Sequence, residues 1–255
     1  MRLGILVFTL VLLTSSIAFA QSKNKLSFEL GYGLNTFLMQ SLNQDYVESD
    51  IIPLKIFEKK IEHGSNFFLN LKFQPSNLFD VGGYGNYQFG STSANPKMYV
   101  FDDLGQNVDT VIGDFVMKTE AVGLGVTNSW YISHILRFQD SKHSFLKNFR
   151  IATEFGVGVG FSKVTHDYQY PTLSSSSFYD FFTSQDFQGQ VALKLEYDYL
   201  TNPIFGTIGL KFGYQYFKTK TVKDHHGKEW VVGQVKPINL DFSGLFGSVY
   251  VGFGK

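Results

Sequence analysis

Four groups of side chains in this chain have residue types and spacing that suit chemistry. The first is His63-Gly64-Ser65-Asn66, where a base lies two residues from a hydroxyl nucleophile. Acyl transfer needs that histidine within hydrogen-bond reach of the serine, and a third group to orient the imidazole. Asn77, twelve residues beyond Ser65, is the candidate third group. The second group is a set of isolated charges: Glu29, Lys72, Glu154, Lys194, Glu196 and Lys211. The third is Asp224-His225-His226, whose donors suit a metal ion, although no further ligand can be placed beside them. The fourth gathers Tyr168, Tyr170, Phe178, Tyr179, Phe181 and Phe182 around the Ser174–Ser177 run. The absence of cysteine removes disulfide scaffolds, thiolate metal sites and cysteine nucleophiles. With 22 basic and 22 acidic residues there is no basic field to attract nucleic acid.

What these groups can do depends on the elements that carry them. Residues 1–20 read as a cleaved signal peptide: Arg2, an apolar run from Leu3 to Leu13, and Ala18-Phe19-Ala20 before the cut. Gln21 rather than cysteine follows, which argues against a lipoprotein. Beyond residue 20 no apolar stretch approaches the ~18 residues of a membrane helix. One domain, residues 21–255, remains.

Its dominant pattern is two-residue alternation. Residues 26–38 put Leu26, Phe28, Leu30, Tyr32 and Leu34 on one face, with Ser27, Glu29, Gly31, Gly33 and Asn35 on the other. Segments 66–74, 79–90, 115–130, 151–162, 187–199, 204–216 and 240–253 repeat the scheme, giving eight candidate strands. Lys118 and Glu120 fall on the apolar face of 115–130, so the membrane section there begins after them. A soluble sheet would present long Lys and Glu side chains on its polar face. Here that face is mainly Gly, Ala, Ser, Thr and Asn, which suits the narrow interior of an eight-stranded barrel. Tyr32, Tyr87, Trp130, Tyr199, Tyr214 and Tyr216 lie near the ends of the apolar faces, as an interfacial girdle requires. The fold class is therefore all-β: a closed, up-and-down, antiparallel transmembrane β-barrel.

The connections fit this class. Pro75-Ser76-Asn77 and Thr201-Asn202-Pro203 make compact turns, whereas 39–64, 91–114, 164–186 and 217–238 are long and belong outside the cell. Segment 131–149 breaks the alternation of long and short. It reads either as a plain long turn or as an amphipathic element on the inner leaflet. Within hydrocarbon only a closed barrel pairs every backbone group of a strand, so 26–38 must meet 240–253.

The signal peptide, eight alternating segments and loop order resemble small outer-membrane barrels of the OmpA-domain, OmpX and OmpW type, within the porin-like class of Gram-negative bacteria. The similarity covers nearly all of the mature chain and is architectural, without a family-specific motif. The chain departs from the class by continuing as Phe253-Gly254-Lys255 rather than stopping on an aromatic residue. The resemblance implies an outer-membrane location, insertion by the barrel assembly machinery and contact with outer-membrane lipid. It also implies that ladders of lumen charges block or gate the pore.

In that frame the six isolated charges point inward and must pair, because a lone buried charge is costly. Glu154 is expected with Lys194 or Lys211, and Glu29 with Lys72 or Glu196. The ladder either plugs the lumen or lines a gated path. The His-x-Ser-Asn stretch resembles that of outer-membrane phospholipase A and lipid A deacylases. However, an unbroken strand puts Asn77 at the opposite rim from Ser65, and no matching downstream glutamate follows. The paired histidines read as a solvated loop. The 164–186 aromatics either fold over the barrel mouth or form a partner surface. The expected role is structural or interactive, through extracellular loops or within an envelope assembly with a protein partner. The alternative is a narrow OmpW-like conduit for small or hydrophobic solutes, and lipid hydrolysis comes third. No catalytic residue, cofactor or metal site is assigned.

Overall fold

Alternation of apolar and small polar residues over ten or more positions gives a strand whose two faces demand different solvents. The computed structural model describes residues 25–47, 59–95, 97–101, 107–169, 178–198, 206–232 and 236–254. Eight of its strands close into a barrel: β1 (Lys25–Thr36), β2 (His63–Ser76), β3 (Phe79–Ala94), β6 (Asp114–Tyr131), β7 (Phe149–Gln169), β8 (Phe178–Asp198), β9 (Thr207–Phe217) and β12 (Gly244–Phe253). Each pairs antiparallel with its neighbours in chain order, and β1 closes the ring against β12 through Leu30↔Val251 and Tyr32↔Val249. Two small hairpins, β4 (Lys97–Phe101) with β5 (Asn107–Ile112) and β10 (Val231–Val232) with β11 (Lys236–Pro237), decorate the long connections. Among the described residues no helix is long and apolar enough to cross a membrane.

Strand parity sorts the side chains without exception along β6. Val122, Leu124, Val126 and Trp130 stand exposed on the outside, while Ala121, Thr127 and Ser129 are buried inside. On β12, Leu245, Val249 and Val251 face out, and Phe246 and Tyr250 face in. The outside is thus a belt of Leu, Val, Ile and Phe. Tyr32, Tyr87, Tyr214 and Tyr216 mark one edge of the belt and Trp130 the other. Such a surface is stable only in hydrocarbon, since water would face a contiguous apolar ring. On β6 and β7 the belt ends at Val122 and Phe161, and the next outward residues are Glu120 and Lys163.

Inward glycines make room for large partners from across the barrel. A Cβ on Gly123 would collide with the Gln188 side-chain amide, and one on Gly160 would lie 2.5 Å from the Phe217 ring.

Several expected boundaries move. Segment 164–186 is not an open loop: β7 and β8 run on as one hairpin, paired from Val164↔Phe182 to Tyr168↔Phe178. Period-two apolarity ends where the membrane does, but the backbone ladder continues into water, where polar and aromatic residues alternate less clearly. β3 likewise extends to Ala94, and 91–114 holds the β4–β5 hairpin. The connection 132–148 forms three short helical turns, Ile132–Ile135, Phe138–Asp140 and Ser144–Asn148. They expose Ile135, Leu136 and Phe145, and Phe145 stacks on Phe149 and Tyr197 beside the membrane belt. This is the amphipathic alternative for that segment. The signal peptide, Tyr170, Tyr199 and the Thr201-Asn202-Pro203 turn lie outside the described residues.

Candidate functional site

The six inward charges assemble into one network at the end of the barrel that carries the chain termini. Lys72 Nζ lies 3.1 Å from Glu29, 2.9 Å from Glu154 and 3.6 Å from Asp80. Lys194 Nζ lies 2.6 Å from Glu29 and 2.7 Å from Glu196, and Lys211 Nζ lies 2.5 Å from Glu154. The pairing of Glu29 with Glu196 does not occur. Two carboxylates need a cation between them, and Lys194 takes that place. Two members escaped the sequence reading. Asp80 has the inward parity of β3 but sits at its first turn. Arg150 lies one residue before the strand boundary assigned to 151–162, and bonds Glu196 at 3.0 Å and Asp198 at 2.9 Å. Parity within 79–90 already turns Asp80 inward, and parity extended by one residue before 151 would have found Arg150.

The cations Lys72, Arg150, Lys194 and Lys211 therefore balance the carboxylates Glu29, Asp80, Glu154 and Glu196 within the lumen. Neutral donors complete the layer. Tyr131 OH donates to Asp80 at 2.7 Å, Tyr250 OH to Glu196 at 2.7 Å, and Asn70 Nδ2 to Glu29 at 2.9 Å. Lys194 lies over the Tyr250 ring at 4.9 Å and Lys211 over Phe68 at 4.8 Å. Charges this buried are tolerated because every one meets an opposite charge, and most are further held by hydrogen bonds or aromatic faces.

Above this layer lies one of neutral amides. Gln215 Nε2 donates to Gln88 Oε1 at 2.9 Å, Asn35 Nδ2 to Gln88 Oε1 at 2.8 Å, and Gln188 Nε2 to Gln215 Oε1 at 3.2 Å. Gln88 and Gln188 are fully buried.

Higher still, the lumen ends in an apolar cap. Phe37, Met39, Leu42, Ile61, Phe115, Met117, Val164, Phe217, Ile238, Leu240 and Phe242 form one buried cluster, drawn from strand tips and from the long connections. His166 sits at its edge, inward from β7, with ring centroids of Tyr46 at 5.3 Å and Trp230 at 4.8 Å. Phe182 stacks on Trp230 at 4.8 Å. One imidazole thus ties together the connection after β1, the β7–β8 hairpin and the connection before β12.

Burial pushes the His166 imidazole down from its ordinary 6.5 to about 4, opposed in part by the Asp180 carboxylate across the hairpin. The folded value lies below the unfolded one, so acid protonates the unfolded chain first. Stability is full above pH 6.5 and falls by about 3 kcal/mol as the pH drops towards 4. Unfolding midpoints measured across that window should slope for the native protein and lose most of the slope in His166→Phe. An unchanged slope would place the acid sensitivity elsewhere.

The aromatic candidates of 164–186 divide by parity. Phe182 faces inward to the cap, and Tyr168 packs on Phe115 at 5.1 Å. Phe181 faces outward under Lys163 Nζ, 4.8 Å from its ring, and Tyr179 is exposed. Tyr170 and the Phe178 side chain are not among the described groups. His63, Ser65 and Asn77 are not brought together. Ser65 Oγ is 3.1 Å from Tyr32 OH, and Asn77 follows the far end of β2, roughly 40 Å of strand away. Asp224 serves its own turn, accepting the N–H groups of His226 and Lys228 at 2.9 and 2.8 Å. The Lys228 backbone N–H holds its carboxyl below the usual range. Among the described residues no three metal-type ligands cluster.

A closed ring of eight antiparallel strands, apolar outside and filled with paired polar groups inside, defines the class: a small transmembrane β-barrel. No family model and no curated protein matches the chain. Among solved structures it is similar to Ail, the attachment invasion locus protein of Yersinia pestis, in complex with the heparin analogue sucrose octasulfate. That likeness has 12% identity, covers 91% of this chain and 98% of that one, and has a TM-score of 0.38. Neisserial surface protein A aligns at 12% identity over 90% of this chain and 97% of its own, with a TM-score of 0.34. The translocator domain of autotransporter NalP from Neisseria meningitidis aligns at 10% identity over 99% and 95%, with a TM-score of 0.26. The assignment of a barrel stands on the strand pairing of this chain and not on these likenesses.

Proposed function

We propose that the protein is an integral outer-membrane barrel with a structural or interaction role, exercised through the cap and the protruding β7–β8 hairpin. The carrying observation is that the lumen is filled by three stacked layers (ionic, amide and apolar), while the β3–β6 and β7–β8 pairs continue past the membrane belt. A filled lumen favours a scaffold over a conduit. The ends also differ as outer-membrane barrels require: β2 and β3 join by a two-residue turn at the terminal end, and the cap connections lie at the other. The cap end then faces outward, and the helical turns of 132–148 lie on the periplasmic side.

Purified protein in planar bilayers is expected to show no unitary openings, either as the native chain or as Lys211→Met. Discrete openings in the native chain would favour the conduit. For the interaction role, the test is a pull-down from native membranes in mild detergent. A partner recovered with the native chain and lost with Tyr179→Ser, the barrel remaining folded, supports it. The same set of proteins recovered with both forms would count against it.

A further inference from the structure

At the terminal end of the barrel, a polar cavity of about 170 Å³ lies between the helical turns of 132–148 and the ends of β2, β7 and β8. Ser133 in its wall is buried, whereas Gln139 and Lys147 are exposed, so the cavity runs from the interior to the surface.

Its polar groups are arranged for an anion. Ser133 is 2% exposed, and its Oγ has no hydrogen-bond partner among the described residues. Arg150 Nε, in the same wall, is buried and has none either. A buried donor without an acceptor is costly, which makes both atoms exceptions that a ligand would remove. The one acid of the wall, Asp198, is already satisfied, since it pairs with Arg150 and accepts Thr207 Oγ1, each at 2.9 Å. Lys147 has no described ion pair or side-chain hydrogen bond, and His134 and the amides of Gln74 and Asn77 add further donors. Donors beside an uncompensated ammonium suit a phosphate, and no carboxylate is left over to receive a ligand's ammonium.

The surroundings decide what carries that phosphate. Ile135, Leu136 and Phe145 are exposed on the same turns. Phe145 stacks at 5.5 Å on Phe149 and at 5.6 Å on Tyr197, which are Cα partners in the outward row of β7 and β8. Phe149 and Phe138 also line the cavity, so the phosphate site adjoins the lipid-facing wall. Exposed cations of the segment are Arg137, Lys142 and Lys147, against the single acid Asp140. An apolar face that continues the belt, with cations beside it, is how an interfacial element holds an anionic headgroup.

We propose that this cavity seats the phosphate of one anionic glycerophospholipid of the periplasmic leaflet, of the phosphatidylglycerol type. Lys147 takes the charge, Ser133 Oγ and Arg150 Nε donate from within, and Phe145 and Phe149 flank the first acyl segment. The site rests on the outer-membrane reading above, which turns this end towards the periplasm.

The test is native mass spectrometry of the full chain folded in mild detergent, with equimolar phosphatidylglycerol, phosphatidylethanolamine and phosphatidylcholine of identical chains. Heat-dependent gel mobility monitors folding. Phosphatidylglycerol should be retained about fivefold over the other two, the effect of one cation beside an anionic headgroup. Lys147→Gln should remove that preference, and Phe145→Ser should weaken retention of all three lipids. Lys228→Gln, at an exposed lysine of the cap end, should change nothing. Equal retention of the three lipids, indifference to Phe145→Ser, or a preference that survives Lys147→Gln or falls equally with Lys228→Gln would overturn the proposal. So would glycerol 3-phosphate competing as well as the lipid, which would make this a site for soluble anions, or a cell-wall peptide displacing the lipid. A chain that does not fold in detergent would instead overturn the membrane reading on which the site rests.

Discussion

Replacing Glu154 with alanine should lower stability by about 3–5 kcal/mol, the usual cost of removing one partner from a buried ionic group. Glu154 is fully buried, and its two oxygens meet Lys72 at 2.9 Å, Lys211 at 2.5 Å and Lys194 at 3.8 Å. Without it, four lumen cations face three carboxylates, and water cannot reach them through the amide layer and cap. Lys211→Met should cost less, because Glu154 keeps Lys72 and Lys194. Glu154→Gln combined with Lys211→Met removes one charge of each sign and should recover a large part of the loss. Urea midpoints of the folded protein in lipid vesicles measure all three variants, and Glu154→Gln alone closes the double-mutant cycle with Lys211→Met. A Glu154→Ala midpoint equal to the native one would mean that water solvates the layer, and the sealed lumen would go with it.

How much of this was legible in the sequence depends on which solvent each residue meets. Inside the belt, lipid and lumen enforce strict parity. The faces of β1, β2, β6 and β12 can therefore be read from single residues, including the inward Phe246 and Tyr250 that look misplaced on an apolar scale. The six lumen charges are visible for the same reason. Their partners are less so, because pairing across a barrel depends on heights that period two leaves open. Lys194 reaching Glu29 across 165 positions is set by closure and strand stagger. Beyond the belt, water accepts either face of a strand, and alternation no longer reports β structure. Hence the 164–186 segment reads as loop, though 164–169 and 178–186 pair as strands. The cap was invisible for a further reason. Met39, Leu42, Ile61, Ile238 and Leu240 come from irregular connections without any period, and only the closed mouth gathers them.

The cap invites the second large perturbation, which should differ in kind from the first. Phe217 is fully buried, stacks on Phe242 at 5.6 Å, and fills the space left by Gly160. Its backbone also anchors the connection before β12, through Phe242 N–H to Phe217 C=O at 2.8 Å and Phe217 N–H to Ser243 Oγ at 3.1 Å. Phe217→Ala should cost about 3–5 kcal/mol, the range for truncating a buried aromatic residue. That loss falls on the cap, which is joined to the barrel by few ladder bonds, so the opening should be local rather than global. Amides of Thr219, Val222 and Trp230 should exchange faster, protease should cut within 218–243, and Trp230 emission should shift to the red. The barrel strands below should keep their protection. Conductance should remain absent, because the amide and ionic layers still fill the lumen beneath the opened mouth. If Phe217→Ala instead produced steady openings, the cap would be the sole seal and the lower layers a selective path. The same cluster would then be a gate, and the conduit rather than the scaffold would be the role this barrel is built for.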